Sequence, residues 1–406
     1  MCRTSLAYKV GAHVSTAKGV QNAVTNSANM SGNSFALFLK SQRQWTGRKY
    51  DKSEVDEFHG LCKEHKYSGK TDILPHGSYL INLASPDANT AYNSLKGFID
   101  DLQRCELLGI SKYNLHPGAT VGYDKKKCIE RLAANIDRGL EATSFVQVVL
   151  ENMAGQGTTL GNLDDLAAII DLVQHKDRVG VCIDTCHTFA AGYDLRDEKS
   201  FVKFWNQFDK LIGYKYLAGI HLNDSKTPLN SNRDLHENIG YGFLGLEAFR
   251  LVMNKLELQG LPLILETPGE DDIRAEEIKL LEELIGKSSD DEFVLSKSKE
   301  LQKLGEKNRK VEQEKMDKKK KTSKPEKQKP LEKCLEDKEV LAQFEKDAEK
   351  YIRERDMLTE IMKGEEEEKP KKRAKKVKEE IKEEIKEEEE EIKPKKRATR
   401  VKKEEL

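Results

Sequence analysis

Eight short runs of apolar and β-branched residues recur along the N-terminal part of the chain. They cover residues 7–13, 34–39, 72–76, 112–116, 146–151, 179–184, 217–222 and 262–266. Between the runs, apolar positions recur every three or four residues, which is the period of an amphipathic helix. The clearest helical segments are residues 56–66, 93–109, 163–176 and 245–258. Eight strand–helix repeats over about 250 residues predict a (β/α)8 TIM barrel.

A doubly wound open sheet is the competing architecture, because it also alternates strands and helices. It would be favoured by a Gly-rich phosphate loop after the first strand. The residues there, GAHVSTAKG (11–19), do not form a G-x-G-x-x-G pattern, so the barrel is preferred.

Charged residues are concentrated in the C-terminal part of the chain. They make up 35% of the 406 residues, which predicts a folded domain over residues 1–286 and a low-complexity, largely disordered Lys/Glu-rich tail over 287–406. Within the tail, alternating spacings of three and four predict a short amphipathic helix at residues 341–362. Two basic clusters that share KPKKRA, residues 369–378 and 393–403, resemble nuclear-localisation signals. A merely solvated tail is the alternative.

Cysteine usage and hydropathy indicate the compartment. The seven cysteines are odd in number and scattered, which favours a reduced, intracellular protein. No apolar run is long enough to span a bilayer, so no membrane partner is expected. The first fifty residues lack Asp and Glu, as mitochondrial transit peptides do, but the strands predicted there leave only a handful of residues for targeting. We expect a nuclear protein, with a mitochondrial fraction left open.

The ends of the predicted strands carry the candidate chemistry. In six runs the last residue, or for run 217–222 the last but one, is a side chain that can bind a metal. These residues are His76, His116, Glu151, Asp184, His221 and Glu266. In a barrel the carboxyl ends of all strands open onto one face, so the six would converge. Any one alone would more often be a hydrogen-bonded core residue, but this many buried together need a cation to neutralise them.

Three further residues are expected on the same face. His187 follows Asp184 by three positions, and Asp234 and His236 lie in the loop after His221. Nine nitrogen and oxygen ligands without thiolate suit Zn²⁺, Mn²⁺ or Fe²⁺, and they exceed what one or two ions need. Cys182 and Cys186 are interpreted as buried apolar residues. A multinuclear site of this kind is typical of phosphoryl chemistry.

Six motifs in order resemble the endonuclease IV family of apurinic/apyrimidinic (AP) endonucleases over about residues 8–285. They are LPHGSYLINLASP (74–86), LHPGA (115–119), LENMAGQG (150–157), CIDTCHTFAAGYD (182–194), HLNDSK (221–226) and LETP (265–268). The resemblance implies a TIM barrel with three Zn²⁺ ions, one of which Mn²⁺ can replace. It also implies hydrolysis of duplex DNA 5′ to an abasic site, which leaves a 3′-hydroxyl, and 3′-phosphodiesterase activity on blocked 3′ ends.

The same resemblance assigns roles to individual residues. His76, His116 and Glu151 would hold a first ion, and Glu151 would bridge to a second. Asp184, His221 and Glu266 would complete the second site, and His187, Asp234 and His236 would hold the third ion. Glu151, Asp184 and Glu266 are the carboxylates expected to be catalytic. Leu235 stands where the family usually has Arg, and Gly77 where a larger side chain is common; neither departure removes a ligand, so both bear on affinity rather than on chemistry.

Loops of the family that penetrate the duplex are also matched. By that correspondence Arg43, Tyr79 and Leu80 would wedge into double-stranded DNA and hold the abasic nucleotide extruded. The other expected partner is the nuclear import machinery, bound through the tail, and the protein is expected to be a monomer. Truncation after residue 290 is expected to spare catalysis and to disperse the protein from the nucleus.

Two rival functions are weighed against this hypothesis. A sugar isomerase or epimerase on a similar barrel would use a two-metal site and would not need His187, Asp234 and His236. A non-catalytic nuclear adaptor with a vestigial barrel would not need an intact set of nine ligands. The complete set therefore favours the nuclease.

Overall fold

The computed structural model describes residues 6–322, with side chains to residue 318. Seven parallel strands form one sheet in the order β2-β1-β9-β6-β5-β4-β3. They are β1 (Lys9–Val14), β2 (Ser34–Leu37), β3 (Lys112–Leu115), β4 (Gln147–Glu151), β5 (Val179–Asp184), β6 (Leu217–Leu222) and β9 (Pro262–Leu265). A separate antiparallel ribbon joins β7 (Asp224–Ser225) to β8 (His236–Glu237). Six of the seven sheet strands fall within predicted runs, and β1 extends one residue beyond its predicted run of 7–13, to Val14.

The remaining predicted run, residues 72–76, closes the sheet into a ring. The backbone N–H of His76 donates to the carbonyl of Leu37 in β2 (2.9 Å), and the N–H of Asn114 in β3 donates to the carbonyl of Pro75 (2.8 Å). Proline has no N–H to give to a ladder, so this segment forms isolated bridges rather than a regular strand. The eight-position barrel is confirmed.

Helices cover the outside of the barrel. They are α1 (Asn22–Asn29), α2 (Lys52–His65), α3 (Ala88–Leu107), α4 (Lys125–Glu141), α5 (Leu163–Leu172), α6 (Thr185–Ala190), α7 (Glu198–Leu211), α8 (Leu246–Val252), α9 (Asp271–Glu283) and α10 (Glu292–Thr322). Carboxylate or amide caps begin several of them: the side chains of Asp87, Asp124, Asn162 and Asp197 each accept a hydrogen bond from the third residue of their helix. Such caps satisfy backbone donors that the helix leaves open.

Small and branched side chains fill the barrel interior. Ala36, Leu74, Val149, Cys182, Ala218 and Ile264 form one buried cluster and come from strands all round the ring. Cys182 is therefore a core residue, as expected. Within the described residues, no helix combines the length and the apolar character that crossing a membrane would require.

The predicted boundary at residue 286 is wrong, because α10 packs on the barrel. Val294 and Leu301 are only 3% and 5% exposed, whereas Leu304 is 57% exposed. Two apolar residues seven positions apart share one face of a helix, and the charged residues between them lie toward solvent. The composition of this segment reflects its charged, solvent-facing side, so composition alone does not reveal that α10 is a packed helix. The helix predicted at 341–362 and the basic clusters at 369–378 and 393–403 lie outside the described residues.

We expect Leu301→Ala to lower the free energy of unfolding by about 2–4 kcal/mol, because a buried leucine is truncated and leaves a cavity. Leu301 packs on Gly240, where an added Cβ would overlap the leucine side chain. Leu304→Ala, on the exposed face of α10, is the matched control and should change stability by less than about 0.5 kcal/mol. Urea unfolding measures both, and equal effects would contradict the packing of α10.

Candidate metal centre

All nine predicted ligands lie together at the mouth of the barrel, the face onto which the carboxyl ends of its strands open. Strand geometry places four of them: His76 ends the closing segment, Glu151 and Asp184 are the last residues of β4 and β5, and His221 lies in β6 beside Asp184. The others lie after or between the sheet strands: His116 after β3, His187 in α6, Asp234 and His236 before and within β8, and Glu266 after β9.

Glu151 lies at the centre of the first group. Its Oε2 atom is 3.3 Å from Nε2 of His76 and 3.5 Å from Nε2 of His116. Its Oε1 atom is 3.1 Å from Nδ1 of His221 and 3.2 Å from Nδ1 of His187. One carboxylate therefore faces two sets of imidazoles through its two oxygens, which is the arrangement that a bridging ligand requires.

Asp234 organises a second group next to the first. Its Oδ1 atom is 3.1 Å from Nε2 of His187 and 3.2 Å from Nε2 of His236. Nε2 of His236 is also 3.7 Å from Oδ2 of Asp184. The two groups are therefore contiguous through Asp184 and His187, which lie three residues apart across the end of β5 and the start of α6.

Buried polar atoms without hydrogen bonds indicate that these residues fit a metal. Among the described residues, Oε1 of Glu151, Nε2 of His187, both ring nitrogens of His221 and Nε2 of His236 have no hydrogen-bond partner. A buried polar atom left unsatisfied costs about 1–3 kcal/mol. Five such atoms aimed at one region need a cation between them, and imidazole with carboxylate suits zinc and its first-row neighbours.

The charges of the site show the same need. Burial by itself lowers the pKa of His221, but the surrounding groups, among them the carboxylates of Glu151 and Glu266, outweigh it and raise the pKa well above its usual value. Burial raises the pKa of Glu266, but the imidazoles of His221 and His76 outweigh it and lower the pKa to about 2. An imidazole must lose its proton to bind a metal, so metal binding at this site releases protons and weakens as the pH falls.

Asparagine side chains fix the orientation of the ligands, and sequence reasoning missed them. Nδ2 of Asn114 donates to Oε2 of Glu151 (2.6 Å), and Nδ2 of Asn223 donates to Oδ2 of Asp184 (2.6 Å). Oδ1 of Asn223 accepts from the backbone N–H of Glu266 (2.9 Å). Outer contacts of this kind orient ligands and raise metal affinity. Their signal in the sequence is an asparagine two positions from a histidine ligand near a strand end.

The imidazoles are oriented by backbone carbonyls. Nδ1 of His76 donates to the carbonyl of Gly77 (2.7 Å), and Nδ1 of His187 donates to the carbonyl of Asn152 (2.8 Å). A proton held at Nδ1 leaves Nε2 with its lone pair free. Nε2 of His76 faces Glu151 and Nε2 of His187 faces Asp234, so each ring is prepared to bind a metal through that atom.

The predicted DNA-contacting residues lie around the mouth. Tyr79 is 60% exposed, and its ring centroid is 5.4 Å from that of His76 and 5.5 Å from that of His116. Leu80 is exposed beside it, and Arg43 is exposed on its own loop. Oγ of Ser78 donates to the carbonyl of Gln42 (2.8 Å), which ties the Arg43 loop to the Tyr79 loop.

A cavity of about 600 Å³ opens between these loops and the ligands. Tyr79, His116, His187 and Asp234 line it, and so does Leu235. The position where the family usually carries Arg therefore presents apolar surface to the cavity. Cys186 is buried near Asp184 and His236, but burial raises the pKa of its thiol, and a protonated thiol is a poor metal ligand.

The fold and the mouth together define a metal-binding TIM barrel. A family model described as a xylose isomerase-like TIM barrel matches residues 24–284, and the chain belongs to that family.

Individual relatives narrow the assignment. Apurinic-apyrimidinic endonuclease 1 of Saccharomyces cerevisiae is 51% identical over 283 residues, which are 69% of this chain and 77% of the relative. The probable endonuclease 4 of Campylobacter hominis is 45% identical over 68% of this chain and 98% of its own. The crystal structure of endonuclease IV from Thermus thermophilus superposes with a TM-score of 0.60 at 28% identity, over 68% of this chain and 98% of that one. The chain is a member of the endonuclease IV family of AP endonucleases.

Proposed function

We propose that the protein is a DNA-repair hydrolase that cleaves the phosphodiester bond 5′ to an abasic site in duplex DNA and leaves a 3′-hydroxyl. The observation that carries this proposal is the convergence of nine nitrogen and oxygen ligands on one barrel mouth. A sugar isomerase would use a two-metal site and would not need the third group of ligands, His187, Asp234 and His236. Removal of blocking groups from 3′ ends is the second activity that we propose for the same site.

We further propose that the site holds three Zn²⁺ ions, one of which Mn²⁺ can replace. When bound, such ions lower the pKa of water and neutralise charge on phosphate oxygens. Glu151 would join the first two sites through its two oxygens, and Asp184 and Glu266 would hold the second. Four carboxylates against three divalent ions leave the mouth net positive, which attracts a DNA phosphate although the whole chain carries a formal charge of -1.

The exposed side chains of the mouth would select the lesion. Tyr79 and Leu80 extend from a loop beside the cavity, and the Ser78–Gln42 hydrogen bond holds Arg43 on the neighbouring loop. Apolar and aromatic side chains inserted into a duplex cost a few kcal/mol per base step. An abasic site lowers that cost, because no base must be unpaired there. The wedge would therefore favour abasic over intact DNA.

We expect the purified protein to nick a duplex with one abasic site and to leave 3′-hydroxyl ends. Glu151→Ala and Asp184→Ala should each lower the rate by at least about 10³-fold, because ligands of the reacting centre are lost. A tight zinc chelator should have the same effect. Gel analysis of end-labelled DNA, with zinc analysis of the same sample, measures this. The control Asp197→Asn removes a remote helix-cap carboxylate and should leave the rate unchanged; full activity in Glu151→Ala would sink the proposal.

We expect Tyr79→Ala with Leu80→Ala to reduce the preference for abasic over intact duplex by about 10-fold or more, because loss of the wedge removes the difference in insertion cost, of the order of a few kcal/mol, between intact and abasic DNA. The effect should fall mainly on KM, because no metal ligand is removed. Competition between the two duplexes measures the preference. Leu256→Ala is the control, since Leu256 is exposed between α8 and β9 and should have no effect. An unchanged preference in the double variant would rule out the wedge.

For the tail, we propose that the basic clusters at 369–378 and 393–403 bind the nuclear import machinery. Replacement of their Lys and Arg residues by Gln should disperse the full-length protein from the nucleus and leave nicking unchanged, because import receptors read positive charge. Replacement of the five glutamates at 387–391 by Gln is the matched control. Fluorescence microscopy of tagged variants measures the distribution; undiminished nuclear accumulation would contradict the proposal. The monomeric state and the mitochondrial fraction stay predictions.

A further inference from the structure

The helix α10 lies beyond residue 284, where the family match ends, and it contacts the loop that carries Asp234 and His236. Nε2 of Gln302 donates to the carbonyls of Gly240 (2.7 Å) and Gly242 (3.1 Å). One turn further along, Gly305 lies so close to Tyr241 that a Cβ would overlap its carbonyl oxygen. Residues 240–242, at the C-terminal end of the loop, are therefore held from outside the barrel by α10.

The following turns of α10 reach the neighbours of the two ligands. Nδ2 of Asn308 donates to Oε2 of Glu237 (3.1 Å), the residue after His236. Glu312, which is largely buried, pairs through Oε2 with Nη1 of Arg233 at 3.1 Å, and Arg233 directly precedes Asp234. Each ligand of the loop thus has an immediate chain neighbour that is fixed by a polar side chain of α10.

This loop needs such support more than the other ligand-bearing segments. Most of the nine ligands lie on strands or directly after them, where the parallel ladder holds the backbone. Asp234 has the most exposed side chain among the ligands that form ion pairs, at 30%, and the ribbon that follows it is only two residues long on each side. On its inner side the loop is anchored by Asn232, which donates to the carbonyl of Ala154 (3.0 Å).

The buried carboxylate of Asp224 completes the inner anchorage. It accepts the backbone N–H groups of Gly240, Gly242, Leu244 and Gly245 at 2.9–3.2 Å. These contacts hold residues 240–245, the C-terminal part of the loop, but do not reach its N-terminal part, residues 233–237. In residues 233–237, the side chains of α10 supply the ion pair with Arg233 and the hydrogen bond to Glu237.

We propose that α10 is a brace that positions Asp234 and His236 and so determines how long the third metal ion is retained. The inference rests on the proposed three-ion site. Positioning residues at metal sites typically change affinity by about 10–100-fold, so loosening the brace should affect one ion of the three. The first two ions, held largely by residues on or next to strands, should be unaffected.

The test compares full-length, zinc-loaded proteins. Glu312→Gln removes the charge that pairs with Arg233, and Gly305→Val forces α10 away from Tyr241. Glu306→Gln is the matched control, because Glu306 pairs with Lys310 on the exposed side of the same helix. Release of zinc into a coloured chelator gives the rate for each ion. Hydrogen exchange of residues 233–242 reports the loop independently of activity.

We expect one of three ions to leave about 10-fold faster or more in Glu312→Gln, with faster exchange in 233–242 and unchanged release of the other two. Glu306→Gln should behave as wild type. Wild-type release and exchange in Glu312→Gln would overturn the brace, and Gly305→Val repeats the test with a larger displacement. A wild-type protein that binds fewer than three ions or does not nick abasic DNA would instead overturn the proposed function, and loop exchange would then decide the brace.

Discussion

The buried carboxylate of Glu151 is the constraint on which the rest of the site depends. Its oxygens face four imidazoles, and a carboxylate taken out of water is tolerated only when opposite charge and hydrogen bonds surround it. Asn114 supplies one hydrogen bond, but Oε1 has none among the described residues. The protein therefore keeps a polar atom in its core that a bound cation would satisfy, which links the stability of the mouth to its chemistry.

The barrel makes this concentration of charge possible because it separates packing from chemistry. The interior below the mouth is filled by small apolar side chains such as Ala36, Cys182 and Ala218, so the ligands at the strand ends need not fill volume. Closure of the ring matters equally. Pro75 prevents a regular ladder, yet the bonds on either side of it bind the segment to β2 and β3, and Nε2 of His76 comes within 3.3 Å of Glu151.

Most of the fold and of the first layer of the site could be predicted, because both follow from the same repeat. Strand ends converge in a barrel, so a histidine or carboxylate at each end identifies a ligand without knowledge of contacts. Asn114 and Asn223 could not be found in this way, since asparagine is also common in loops that bind no metal. The helix α10 was missed for a different reason. Its packed face carries few buried apolar residues, Val294 and Leu301, and they lie in a stretch whose composition is that of a tail.

The brace gives that charged stretch a physical role. A barrel fixes strand-borne ligands through its hydrogen-bond ladder, but a loop ligand has no ladder and loses conformational entropy when it is ordered, about 1–2 kcal/mol for each backbone residue. In the loop around Asp234 that cost must be offset by contacts from elsewhere. The Arg233–Glu312 pair is well placed for this, because Glu312 is shielded from solvent and shielding weakens screening of the pair by salt. A barrel of standard size could in this way hold ligands such as Asp234 on a loop, provided that a further element outside the barrel keeps the loop in place.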